Sequence, residues 1–328
     1  MEQANQTQTT VKEFFIVNFP GLDFQYYKLM GVIFFLIYVT TVVGNSLLVA
    51  LFFIEHRLQK PMYIIMLSLA LSDIGFCTVA LPKAIGRYWL DDGAIPFHVC
   101  FFQYFLIHYF GTLNSLILLA MSLDRYLAIC FPLRYPTLMT NRTMGALTGF
   151  SWVSAAVSPG ISVGMTARMP FCGPNRIIHC YCDSVSTTSL VCADTWQVSS
   201  LSVALGMFVL LVPLILILSS YISIIVAVLK IADAQGRYKA FSTCATQVCI
   251  ISIYYLPRFG VYLSSLVSFV KISPDLRISL TLFYSLFPPL INPLIYCYRT
   301  KEIKDILYKW FCQRNVVSQT RIVTTVSK

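Results

Sequence analysis

Seven apolar segments punctuate this sequence, at about residues 27–54, 61–86, 97–130, 143–165, 197–231, 238–270 and 275–298. Each is longer than the roughly 20 residues a helix needs to cross hydrocarbon. They are continuous blocks, not the narrow stripes of amphipathic surface helices. Of the 328 residues, 57% are hydrophobic and 12% charged, too little polar surface for a soluble domain of this length. The expected fold class is therefore all-α: a seven-transmembrane helix bundle with a short amphipathic C-terminal helix. An extracellular N-terminal segment would cover 1–26, the membrane domain 27–300, and a cytoplasmic helix and tail 301–328.

An odd number of crossings puts the termini on opposite faces, and loop charge decides which. One set of loops holds Arg57, Lys60, Arg134, Arg142, Lys230, Arg237, Lys239, Arg299, Lys301, Lys304, Lys309 and Arg314. The other holds Lys12, Lys28, Lys83, Arg87, Arg168, Arg176, Lys271 and Arg277. The first set is larger and hugs the helix ends, so it is assigned to the cytoplasm and the N-terminus to the outside of the cell membrane. The formal charge of +10 resides in short loops and the tail. With no basic cluster interleaved with aromatics, it does not point to nucleic acid.

The first 26 residues lack a basic region followed by an apolar run, so the first span is expected to act as a signal anchor. Asn5-Gln6-Thr7 is a glycosylation sequon on the outer side, while Asn141-Arg142-Thr143 falls inside and should be silent. The outer connection at about 166–196 holds Cys172, Cys180, Cys182 and Cys192, and Cys100 opens the third span on that face. An oxidising compartment favours disulfides there; free buried thiols are the alternative. Past the seventh span, Ile303, Ile306, Leu307 and Trp310 share one face of a helix suited to the inner leaflet, a contact with membrane lipid. Cys312 at its end is a candidate for palmitoylation.

Polar groups inside the spans are costly, so each is a functional candidate. Asn45 reads best as an inter-helix hydrogen bond. Asp73, Asn114 and Asn292 can either hold the bundle together or form a polar core that takes up an ion; Na+ near Asp73 and Asn114 is the one metal considered. Arg258 follows Pro257 in the outer half of the sixth span, with Tyr255 and Tyr262 at helical spacing. It can snorkel outward, pair with a loop acid such as Asp183, or serve as counter-charge for an anionic ligand. His108 is either a core histidine or part of the same cavity.

Specific strings carry a resemblance. Met121-Ser122-Leu123-Asp124-Arg125-Tyr126-Leu127-Ala128-Ile129-Cys130, then Phe131-Pro132-Leu133-Arg134-Tyr135, resembles the signature closing the third helix of vertebrate odorant receptors. Pro61-Met62-Tyr63, Ser220-Tyr221, Lys239-Ala240-Phe241-Ser242-Thr243-Cys244-Ala245-Thr246 and Pro289-Leu290-Ile291-Asn292-Pro293-Leu294-Ile295-Tyr296 are similar to the same family, in the same order. The departures are Ser122 within the third-helix lead-in, Phe131 where many members have histidine, and Tyr254-Tyr255-Leu256-Pro257-Arg258, which suggests a fish-type receptor.

The resemblance implies a receptor that binds a small-molecule odorant between the third, fifth, sixth and seventh helices. The matching positions are Tyr104, His108, Gly111, Thr112, Ser202, Gly206, Tyr255, Arg258, Tyr262 and Ser285. It implies that Arg125, held near Asp124 at rest and followed by Tyr126, meets a heterotrimeric G protein, with Tyr221, Asn292 and Tyr296 supporting the rearranged inner face. It also implies Cys100–Cys182 and Cys172–Cys192 disulfides, leaving Cys180 unassigned. The expected output is cyclic AMP through a stimulatory, olfactory-type G protein, by population shift. No enzyme activity and no cofactor are expected, since no phosphate loop, metal spacing or nucleophile–base pair is present. An amine receptor would want a carboxylate where Ile107 and His108 stand, and a transporter would carry inverted repeats.

Overall fold

The computed structural model describes residues 11–172, 174–230, 234–266 and 273–310. A short strand β1 (Glu13–Ile16) precedes helix α1 (Tyr27–Ile54), followed by α2 (Pro61–Leu90), β2 (Ala94–Pro96) and α3 (Phe97–Cys130). Next come α4 (Tyr135–Leu138), α5 (Asn141–Ser154), α6 (Val157–Thr166), β3 (Arg176–Ile177) and α7 (Ser184–Thr188). The chain continues through α8 (Trp196–Leu229), α9 (Ala234–Leu266) and α10 (Pro274–Arg299), and a helix α11 follows over 301–310. The expected all-α bundle is what forms, with α5 and α6 together making the fourth span.

Among the described residues, six spans are long and apolar enough to cross a membrane by length and composition. The seventh, α9, has 33 residues, but Gln247, Arg258 and four tyrosines dilute its apolar character. Leu113 and Ile117 of α3 are fully buried at the bundle centre. Phe208, Ile215, Leu218 and Ile222 of α8 stay exposed, as the lipid-facing side of a membrane helix must.

Helix boundaries follow local chemistry. Proline supplies the first residue of α2 and α10, where its missing N–H costs nothing. Ser273 caps α10 by accepting from the Leu276 amide at 3.3 Å, and Thr140 caps α5 by accepting from the Thr143 amide at 3.1 Å. The fourth span was expected as one helix over 143–165, yet it breaks at Ala155–Ala156. Pro159 cannot donate to the Ala155 carbonyl four residues back, and the ladder is interrupted there. Pro293 likewise leaves the Pro289 carbonyl without its helical donor. The Asn45 amide of α1 donates to that oxygen at 3.0 Å, so Asn45 does tie two helices together.

The polar N-terminal segment carries structure that composition does not reveal. β1 lies between β2 and β3, antiparallel to the first and parallel to the second. Phe14 is buried beneath it, 5.6–6.4 Å from the rings of Phe97, Phe101 and Phe171. The Cys100–Cys182 and Cys172–Cys192 disulfides form in the same cap, with Cα atoms 5.5 and 5.8 Å apart. Cys180 is a free, buried thiol. At the other end, Ile303 and Ile306 of α11 are buried and Leu307 and Trp310 pack beside them, the amphipathic pattern expected. Asn5 and Cys312 lie outside the described residues.

Candidate functional site

Under the outer cap lies a cavity of about 110 Å³, walled by α3, α6, the start of α7, α8, α9 and α10. Of the ten expected ligand contacts, His108, Gly111, Thr112, Ser202, Gly206, Arg258 and Tyr262 line it. Tyr104, Tyr255 and Ser285 do not. Tyr104 is fully buried one layer back and bonds the Ser162 hydroxyl at 2.6 Å, which in turn meets Ser202 at 2.8 Å. Tyr255 turns to Ser115, with the two hydroxyls 2.7 Å apart. Arg258 and Tyr262 share the cavity face, and the tyrosine bonded to Arg258 is Tyr254, one turn before it. Ser115, Ser158, Ser162, Thr281 and Tyr284 also line the cavity and were not anticipated. Small hydroxyls in apolar helices were the available signal, but they are as often packing residues.

Arg258 is the dominant charge of this wall. Its guanidinium donates to the Tyr254 hydroxyl, which donates to the Gly111 carbonyl at 2.5 Å. It also lies over the Tyr254 and Tyr284 rings, at 5.0 and 5.3 Å from their centroids. Among the described residues no carboxylate comes within 4.0 Å of it, so Asp183 is not its partner. Asp183 caps α7, its Oδ1 accepting from the Ser186 amide at 3.0 Å and from the Ser186 hydroxyl. Burial alone would raise its carboxyl pKa, but His179 and the Ser186 donors outweigh this and hold it below the usual carboxylate value. His179 is buried against Tyr181; burial lowers its pKa, and the Asp183 carboxylate beside it opposes that shift. The His108 Nε2 atom faces inward, buried and without a hydrogen-bond partner.

A second cavity, of about 330 Å³, opens at the inner end, lined by Met62, Met121, Asp124, Arg125, Gln247 and Tyr296 among others. Asp124 and Arg125 are adjacent but do not form an ion pair. Asp124 accepts from the Tyr135 hydroxyl at 2.8 Å, while Arg125 lies 2.6 Å from the Met62 sulfur. Tyr221 donates to Gln247 at 2.8 Å, joining α8 to α9. Tyr296 reaches the Met121 sulfur at 3.8 Å, and Tyr126 stays outside this cavity, stacked edge-on against Phe131. Between the two cavities, the Asn292 amide donates to Asp73 Oδ2 at 2.8 Å. The remaining oxygens of Asp73, Asn114 and Asn292 are buried there without partners among the described residues.

Two stacked cavities in a seven-helix bundle, one under an outer lid and one around an Asp-Arg-Tyr turn, suit a transmembrane receptor. The family model for olfactory receptors matches residues 34–314. The chain belongs to the olfactory receptor family. It is 37% identical over 303 residues to olfactory receptor 2A5 of Homo sapiens, covering 92% of this chain and 96% of that one. Olfactory receptor 10A5 of Homo sapiens is 35% identical over 306 residues, covering 92% and 95% of the two chains. Olfactory receptor 1E16 of Mus musculus is 32% identical over 313 residues, covering 95% and 98%. The receptor is accordingly a multi-pass membrane protein and not an enzyme.

Proposed function

We propose that this receptor admits a small anionic odorant to the outer cavity and, through its inner end, activates a stimulatory, olfactory-type G protein that raises cyclic AMP. The N-terminus faces outside, as the loop charges require. One observation carries the ligand reading: Arg258 lines the cavity with no acidic partner among the described residues. A guanidinium inside a bundle needs an anion, and a ligand carboxylate supplies two acceptors for its fork of donors. His108, Gly111, Thr112, Ser202, Gly206 and Tyr262 shape the rest of the site, and Tyr104, Tyr255 and Ser285 act from behind it.

Ligand contact draws Arg258 and with it the Tyr254–Gly111 link between α9 and α3. A ligand that favours one arrangement of α9 over the other shifts the population of inner-face states. At that face Arg125 leaves Met62 to meet the G protein, with Asp124, Tyr126, Tyr221, Asn292 and Tyr296 supporting the rearrangement. The partnerless oxygens of Asp73, Asn114 and Asn292 form an all-oxygen donor set that suits a hard cation such as Na+. Arg258→Gln is expected to abolish cyclic AMP responses to carboxylates while surface expression persists. Full potency of acidic ligands on that variant refutes the counter-charge.

A further inference from the structure

The outer cavity is not uniformly basic. Asp183 lines the same cavity as Arg258, and neither belongs to an ion pair among the described residues. Asp183 uses Oδ1 to cap α7; Oδ2 has no hydrogen bond among those residues, and a carboxylate offers about four lone-pair sites in all. His108 and Tyr284 also line the cavity, and each lies within electrostatic reach of both charges. Opposite charges that share a small cavity without closing on each other leave a field that runs across it. The cavity, at about 110 Å³, has room for roughly seven to eleven water-sized groups.

We infer that the odorant is a small zwitterion, with an ammonium met by Asp183 and a carboxylate met by Arg258, an inference that rests on the anionic reading above. A simple carboxylate would satisfy Arg258 but leave Asp183 facing a second negative charge in a confined space. An ammonium at the far end of the ligand turns that repulsion into a charge-assisted hydrogen bond. Asp183 already accepts from the Ser186 amide and hydroxyl, whereas Arg258 has no carboxylate within 4.0 Å among the described residues, so the cavity favours anions over amines. The order of potency is then zwitterion, carboxylate, amine.

The probes are the amino acids from glycine to 6-aminohexanoate, each paired with its des-amino acid and its des-carboxy amine, applied to cells expressing the full-length receptor with cyclic AMP as readout. The best-fitting amino acid is expected to be at least tenfold more potent than its des-amino partner, with the amine inactive. Asp183→Asn removes the charge and keeps the helix cap, because asparagine caps as well as aspartate. On that variant the zwitterion should lose its advantage over the plain acid, and the acid, freed of the repulsion, should gain potency. Equal potency of acids and amino acids, or a zwitterion advantage undiminished in Asp183→Asn, overturns this inference and leaves the anionic reading standing. Amines more potent than acids, or silence to the whole panel from receptor present at the surface, overturn both.

Discussion

Replacing Gly111 by alanine tests the position of the Arg258 guanidinium without touching its charge. A Cβ built on Gly111 falls 2.7 Å from Arg258 Nη2, whereas Cζ and Nη1 stand 3.7 and 3.8 Å away. Ordinary contact begins near 3.4 Å, so the nitrogen must retreat by about 0.7 Å (3.4 less 2.7). Retreat is restricted, because the guanidinium is bonded to Tyr254 and lies over two rings. A hydrogen bond to a charged group contributes about 1.5–3 kcal/mol net. Loss at the lower end of that range lowers carboxylate potency by about tenfold. Gly111→Val, with two more atoms, should lower it by about a hundredfold, the upper end of the same range. Neither the methyl ester of the ligand nor surface abundance should suffer from the alanine, since alanine is the better helix former by about 1 kcal/mol. The assay is the ratio of carboxylate to ester potency in a cyclic AMP concentration–response series. An unchanged ratio in both variants refutes the placement of Arg258 against α3.

At the inner end, Tyr135→Phe removes the hydroxyl that Asp124 accepts at 2.8 Å. Leaving a buried carboxylate without its donor costs about 1–3 kcal/mol in that arrangement, so ligand-independent cyclic AMP should rise several-fold. Unchanged basal signalling at equal surface level would show that this bond does not hold the resting state. Cys100→Ser frees the outer end of α3 from the loop, 82 residues along the chain, and should reduce surface delivery several-fold by antibody staining of unpermeabilised cells. Normal surface staining and signalling would argue that the disulfide is dispensable.

The bundle and the cap differ in how far the sequence reveals them. Blocks of apolar residues longer than a bilayer's thickness admit one kind of structure, and α1, α2, α3, α8 and α10 begin and end close to where hydropathy stops. Proline and cap residues mark several of those ends because their chemistry is local. β1 was illegible for the opposite reason. Four residues, Glu13–Ile16, become a strand only because β2 and β3 lie on either side, and the paired residues are 79 or more positions away. In α9, Tyr254 and Tyr255 have the same side chain and both stand within a turn of Arg258, and only their neighbours on α3 tell which one serves it.

By itself the sequence determined that this chain crosses a membrane as a helical bundle, because backbone groups in hydrocarbon must be satisfied within each segment. It also placed Arg258 within a span, where it could snorkel outward, pair with a loop acid or meet an anionic ligand. Only the tertiary structure decided that the partner is not Asp183, that both charges face one cavity, and that Gly111 makes room for the guanidinium. The physical reason is that charge pairing depends on separations of a few ångströms between different helices, which side-chain packing sets and which spacing along one chain does not record.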